Sequence, residues 1–460
     1  MLHRFRPTHY KEYSALLKTL GVWGLLGAWA GVTSGLASAL FLHLLNWATA
    51  FRENHSWLLW LLPVAGIGIA LVYGGYGKSV DGGNNLLLER VHNPADMIPL
   101  RMAPLILLAT VVTHLFGGSA GREGTAVQMG GTLATLLHKP LRLLKHDHRL
   151  LIMAGISGGF GSVFGTPLAG TVFGLEVLTV GRIGYDGLIP CFVAACVGNL
   201  TARTLGVRHE LYGIGAIPSL TPRIWLLILV MGMLCGLASL VFGELTHAIG
   251  RLRKDRVKQP WLRPFVGGCA VIGLTYLVGT RDYLGLSLPL ITRSFTTEHL
   301  FWGTFALKML FTAITLGTGF KGGEVTPLFC IGAALGSSFA GGVGEPHGFF
   351  AALGFVAVFA GAANTPLACI FLGIEMFGAQ IAVPLGAVCI VSYILSGHRG
   401  IYSAQRVGTS KSHSIAIEEG ATLHELHTGA IKLRYSHRIA APAGDENIKP
   451  STLQPPFPER

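Results

Sequence analysis

Long apolar runs, repeatedly broken by glycine, constrain this chain more than any other feature. The clearest apolar cores are 22–51, 58–73, 104–116, 224–242, 266–278 and 350–360. A hydrocarbon core about 30 Å thick asks for roughly 20 apolar residues per spanning helix. Only 13% of the residues are charged and 51% are hydrophobic, whereas soluble domains carry roughly 25% charged residues. An all-α integral membrane protein follows. Several runs are too short to cross perpendicularly, so tilted and re-entrant helices are expected. The first run is too long for the apolar part of a cleavable leader and lacks a small-residue exit, so no leader is expected.

The net charge of +12 would suggest nucleic acid as a partner of a soluble chain. Here the basic residues gather at 3–11, 139–149 and 251–263, as they do at the cytoplasmic ends of membrane helices. The lipid bilayer is therefore the expected partner, and nucleic acid is not. Seven cysteines lie in apolar stretches and none forms Cys-x-x-Cys. They read as buried free thiols rather than a disulfide framework or a metal site.

The chain repeats itself. The segment from Gly165 through Thr166-Pro-Leu-Ala to Glu176 resembles the one from Asn364 through Thr365-Pro-Leu-Ala to Glu375. Upstream, Gly121-Arg-Glu-Gly-Thr125 parallels Gly322-Gly-Glu-Val-Thr326. From Glu123 to Thr166 is 43 positions, and from Glu324 to Thr365 is 41. Two matches in the same order define two membrane repeats, 20–207 and 221–406, joined by a linker at 208–220. Residues 1–19 read as a cytoplasmic segment, and 407–460 as a polar, partly disordered cytoplasmic tail with room for a short helix at 421–427. The first helix leaves a basic end, whereas the helix opening the second half arrives at one. The halves are therefore inverted, which puts a substrate site near the midplane where broken helices meet.

The strongest motif is Gly117-Gly-Ser-Ala-Gly-Arg-Glu-Gly-Thr125. Its glycines let successive amides face one point, and the helix that follows adds partial positive charge there. Glu123 puts a carboxylate at a site suited to anions. It is either a tethered competitor that leaves on protonation or a helix-end acid paired with Arg122, and intramembrane acids favour the former. The counterpart is Gly319-Phe-Lys-Gly-Gly-Glu-Val-Thr-Pro327. There Glu324 is a second acid suited to a proton relay. Thr326 is either a bridging hydroxyl or a helix cap. Gly82-Gly-Asn-Asn-Leu86 offers amide donors or an ordinary cap. Tyr402 either donates to a central anion or belongs to an interfacial aromatic belt.

Enzymatic signals are weak. Gly-x-Ser-x-Gly occurs at 117–121 and 155–159, but without the preceding strand that a nucleophile elbow needs. His424-Glu-Leu-His427 is one residue short of the zinc-protease spacing. His43 and His114 read as packed or hydrogen-bonded. No enzyme, cofactor or metal is expected.

Across about residues 15–406 these segments together resemble the CLC anion channel and transporter family. The carriers are Gly-Arg-Glu-Gly at 121–124, the Gly-Gly-x-x-x-Pro segment at 322–327, the two Pro-Leu-Ala repeats and Tyr402. The resemblance implies a CLC-type fold of many tilted and re-entrant helices in two inverted repeats. It also implies a homodimer with one pore per subunit, and an external gating glutamate at Glu123. Departures from the chloride members are informative. Thr125 stands where they have Pro, and Gly-Gly-Asn-Asn-Leu replaces their Gly-Ser-Gly-Ile-Pro. Val177 occupies the position of their inner proton glutamate. The fluoride-exporting branch is similar to this chain: it carries Met or Asn for the chloride-binding Ser, here Asn84 or its neighbour Asn85, and has Glu-Val-Thr-Pro. The expectation is fluoride export in exchange for protons across the bacterial inner membrane, with chloride/proton exchange or a passive chloride channel as the alternative. Asn84 and Tyr402 would hold the anion. Main-chain groups at Arg122, Gly124 and Leu328 would assist, and Glu324 and Thr326 would serve the proton.

Overall fold

The computed structural model describes residues 7–94, 97–210, 212–296, 300–431 and 434–435. Apolar runs became helices throughout, as satisfaction of backbone groups in lipid demands. In the first half these are α1 (Pro7–Asn54), α2 (Leu62–Gly74), α3 (Asn84–His92), α4 (Met102–Leu115), α5 (Glu123–Ala134), α6 (Lys145–Phe164), α7 (Pro167–Glu176) and α8 (Leu188–Thr204). The second half holds α9 (Pro222–Arg256), α10 (Leu262–Val278), α11 (Leu288–Ser294), α12 (Thr304–Thr318), α13 (Val325–Val343), α14 (His347–Ala363), α15 (Pro366–Phe377) and α16 (Ala382–Leu395). Five segments among the described residues, including 11–54 and 222–252, are long and apolar enough to cross a membrane. Others are half that length, as the short runs foretold.

The two sets of eight correspond in order and in packing. α1 packs on α6 and α8 as α9 packs on α14 and α16. α5 crosses α6 where Gly130 faces Gly155, and a Cβ on Gly130 would lie 2.3 Å from the Gly155 carbonyl oxygen. α13 crosses α14 at Gly332 and Gly354 in the same way, with 2.0 Å to the Gly354 oxygen. Helices touch their own counterparts: α2 meets α10, α5 meets α13 and α7 meets α15. A pseudo-two-fold axis therefore runs between them.

The α7–α15 pair shows the inversion directly. Glu176 ends α7, and its carboxylate accepts the N–H groups of Leu367 (3.1 Å) and Ala368 (2.8 Å) at the start of α15. Glu375, near the end of α15, accepts those of Leu168 (3.0 Å) and Ala169 (2.8 Å) at the start of α7. Each helix end meets the beginning of its counterpart, so the two are antiparallel. Each carboxylate satisfies two otherwise orphaned donors and favours the positive helix end.

Three details differ from the sequence expectations. α1 passes position 19 without a break, so the first segment is helical from Pro7 onward and not separate from the first repeat. The polar tail folds back: β1 (Thr179–Val180) pairs in parallel with β2 (Arg406–Val407), and β3 (Ile415–Ala416) pairs with β4 (Arg434–Tyr435). The expected short helix is α17 (Leu423–Thr428), opened by a capping box of Thr422 and Glu425. Of the tail 407–460 expected to be partly disordered, residues 432–433 and 436–460 lie outside the described residues. Five of the seven cysteines are buried, but Cys196 is half-buried and Cys269 is exposed on α10.

Candidate functional site

α5 and α13 point their first turns at each other. The loops before them are stitched by two backbone bonds, Gly121 N–H to the Gly323 oxygen (2.6 Å) and Gly323 N–H to the Gly121 oxygen (2.8 Å). Glycine is required here, because a Cβ on Gly121 would come 2.8 Å from Pro327 and 3.0 Å from the Gly323 oxygen. The two half-motifs found in the sequence are thus one structural unit on the pseudo-dyad.

Glu123, the first residue of α5, is fully buried. Its carboxylate reaches across to α13. The Thr326 N–H donates to Oε2 at 3.0 Å and the Thr326 hydroxyl lies 2.6 Å from the same atom. Arg122 contributes its own N–H to Oε2 at 3.2 Å, and its Nε lies 3.4 Å from Oε1. A carboxylate thus sits where free amides at two helix starts converge, a place suited to any small anion. Beside it lies a cavity of about 20 Å³, lined by Arg122, His209, Glu210, Tyr212 and Phe355 among others.

Thr326 does not cap α13, because the N-cap is Glu324. The main-chain expectation at Leu328 needs correction. Its N–H closes the first turn of α13 on the Glu324 oxygen at 3.1 Å. Pro327 has no N–H, so Thr326 supplies the donor that faces the site. Gly124 is a point of close approach with no room for a side chain. A Cβ there would lie 2.9 Å from Asn84 Nδ2, 3.1 Å from Gly323 Cα and 3.6 Å from Glu324 Oε2. Gly124 therefore shows that Asn84 and Glu324 face the same point.

Both residues carry an unusual feature. Asn84 Oδ1 and Glu324 Oε2 are buried without a hydrogen-bond partner. Such groups are costly in an apolar interior unless something completes them. Asn84 is not a cap, since Gly83 is the N-cap of α3 and no side-chain cap bond exists. Instead it lines a cavity of about 10 Å³ with Leu87, Leu88, Val127, Ile156, Phe173, Val177 and Tyr402. That volume is on the scale of one water-sized guest. Tyr402 is only 4% exposed, which removes the belt reading. Val177, the position of an acid in chloride exchangers, is an apolar wall of this cavity.

Asn85 does a different job. Its Oδ1 accepts the Ala404 N–H at 3.0 Å, fixing the segment that carries Tyr402. Gln405 pins the same segment by donating to the oxygens of Val177 and Ala363, both at 2.8 Å. Thr125, placed where chloride members have Pro, pairs its hydroxyl with that of Thr110 at 2.8 Å.

Sequence reasoning missed Lys308. It is fully buried on α12, and its ammonium donates to Ser119 Oγ (2.8 Å), the Gly285 oxygen (2.9 Å), Ser287 Oγ (2.9 Å) and the Tyr283 oxygen (3.3 Å). It ties the glycine loop before Glu123 to the turn before α11. The available signal was a lone cation in an apolar helix, a functional pointer in its own right.

Broken helices meeting around buried acids at a pseudo-dyad define a membrane transport protein. The chain belongs to the voltage gated chloride channel family, whose model matches residues 65–397. It is 50% identical to the "Chloride/fluoride channel protein" of Pseudomonas syringae pv. tomato, over 89% of this chain and 91% of that one. The crystal structure of a CLC-type fluoride/proton antiporter superposes with a TM-score of 0.82 at 37% identity, covering 84% of this chain and 98% of its own. A slow cyanobacterial Cl−/H+ antiporter shares the fold, with a TM-score of 0.71 at 19% identity over 83% and 96%.

Proposed function

We propose that this protein exports fluoride in exchange for protons. The observation that carries the reading is the buried Glu123 carboxylate held by Thr326 at the start of α13. Ionised, it competes with the anion for the converging amides. Protonated, it loses that attraction, turns toward the neighbouring cavity and carries a proton. Asn84 and Tyr402 then receive the anion in the central cavity, and Glu324 with Thr326 relays the proton beside it. Fluoride is small and strongly hydrated, so it needs a tight site with strong donors. A cavity of water size with an amide and a phenol on its wall meets that need. The likeness to a fluoride/proton antiporter structure supports the same choice.

On this reading the protein sits in the bacterial inner membrane with cytoplasmic termini, as its basic loops favour. It works as a homodimer with one pore per subunit. α7 and α15 have 10 and 12 residues, about 15–18 Å at 1.5 Å per residue, half of a bilayer core. They present the exposed side chains Leu168, Leu367 and Phe371, a face that a second subunit would cover.

The test is efflux from liposomes read by a fluoride electrode, with an imposed pH gradient. Expected is fluoride movement against its gradient when protons flow the other way, with chloride flux at least tenfold lower. Chloride flux equal to fluoride flux would replace this reading with chloride/proton exchange or a passive chloride channel.

A further inference from the structure

A second concentration of charge around a cavity lies away from Glu123. α9, the ends of α12, α14 and α16, and α17 enclose about 440 Å³, within the range of small-ligand sites. Arg251, Arg399, His247, His424 and His427 line it with, among the described residues, a single carboxylate, Glu244. Glu244 is already held by Arg399 (2.7 Å) and lies 3.5 Å from His427 and 4.0 Å from Arg251. Arg251 approaches the His427 ring nitrogen at 2.6 Å. With neutral histidines, two guanidiniums against one carboxylate leave a positive charge among the described residues. An anion is the complement.

The remainder of the wall is apolar. Leu240, Leu316, Gly243 and Gly317 line it. On α9, Leu237 and Val241 next to Leu240 are exposed, so this flank of the cavity adjoins the hydrocarbon-facing surface. The opposite wall is rigid. α17 is held by Leu423 N–H on the Gln405 oxygen and His424 N–H on the Ser403 oxygen, both at 2.9 Å. A bare phosphate would fill little of this space, whereas an amphiphile with a phosphate head would meet both kinds of wall.

We propose that this cavity binds an anionic phospholipid, its phosphate between Arg251 and Arg399 and an acyl chain along Leu240 and Leu316. Basic pockets between membrane helices suit such headgroups. The cavity shares no lining residue with those beside Glu123 and Tyr402, so its failure would leave the transport reading standing.

Native mass spectrometry of the full chain, purified from mixed phosphatidylglycerol and phosphatidylcholine, provides the test. Expected is one retained phosphatidylglycerol per chain, favoured at least fivefold over phosphatidylcholine. Arg251→Gln with Arg399→Gln should cut retention at least tenfold. Gly243→Leu keeps every charge and meets nothing within 4 Å of its Cβ. It should obstruct the apolar side of the cavity, cut retention at least fivefold and leave fluoride flux within about twofold. Retention unchanged in Gly243→Leu, or no lipid preference in the native chain, would overturn the site. Displacement by millimolar glycerol phosphate or inorganic phosphate would overturn the lipid as its source.

Discussion

Two junctions on the pseudo-dyad both set glutamates against helix starts, from the helix ends at α7–α15 and from the helix starts at α5–α13. At α7–α15 the exchange is mutual: Glu176 and Glu375 each take two backbone donors from the opposite helix. At α5–α13 it is one-sided. Glu123 takes donors from α13, but Glu324 does not reciprocate, and its Oε2 has no partner. A carboxylate matched by its counterpart is a staple, with nothing to gain by moving. One whose counterpart is unsatisfied sits beside a place that an ion or proton can complete. On the proposed function, broken symmetry marks Glu123 as the part that moves and the α7–α15 pair as fixed.

The largest effect should follow Glu123→Gln. The amide keeps the size but cannot take up and release a proton, and its NH2 meets donors at Thr326. Proton coupling should vanish, so a pH gradient no longer drives fluoride uphill in liposomes. Coupling that survives would erase the distinction between the junctions. Glu176→Gln should act on the fold instead. Hydrogen bonds to charged groups contribute about 1.5–3 kcal/mol each, and the substitution weakens two. A lower melting temperature with coupling intact is expected in the surviving protein. Coupling lost at a normal melting temperature would make Glu176 a moving part too.

Asn84 and Asn85 sharpen the comparison one level down. Asn84→Ala should reduce fluoride transport at least tenfold with little change in melting temperature, because its amide faces the central cavity. Asn85→Ala should do the reverse, because it leaves the Ala404 N–H unmatched. Equal transport in both variants would remove the central cavity from the pathway.

This pair also shows how far the sequence could be read. The apolar runs, the two halves and the pairing of Gly121–Thr125 with Gly322–Thr326 were legible, because membrane solvent and inverted repetition both leave marks along the chain. Adjacent asparagines were not separable. Neighbouring residues on a helix face different directions, and the position of α3's first turn follows from Gly83 at φ +57°. The reciprocal capping was half visible, since both Pro-Leu-Ala segments end on a glutamate, but its meaning needs α7 beside α15. Lys308 stood as a single cation in an apolar run. Its acceptors come from positions 119, 283, 285 and 287, and no local pattern joins them. Leu328 was misassigned because it is the fourth residue of α13, where the N–H already closes the first turn, whereas Thr326 precedes that bond and keeps a free donor.

The smallest effect should come from Thr326→Ser. The hydroxyl and N–H that meet Glu123 both remain, and only a methyl is lost, so coupled fluoride flux should stay within about twofold of the parent. Thr326→Val keeps the shape and removes the hydroxyl, at a cost of about 1.5–3 kcal/mol for a bond to a charged acceptor. Glu123 then has less to hold it at α13, so the inner position is less favoured and coupling should loosen toward leak. Stopped-flow fluoride efflux with parallel pH recording separates the outcomes. If valine couples as well as serine, the hydroxyl is incidental and the N–H of Thr326 alone holds the carboxylate.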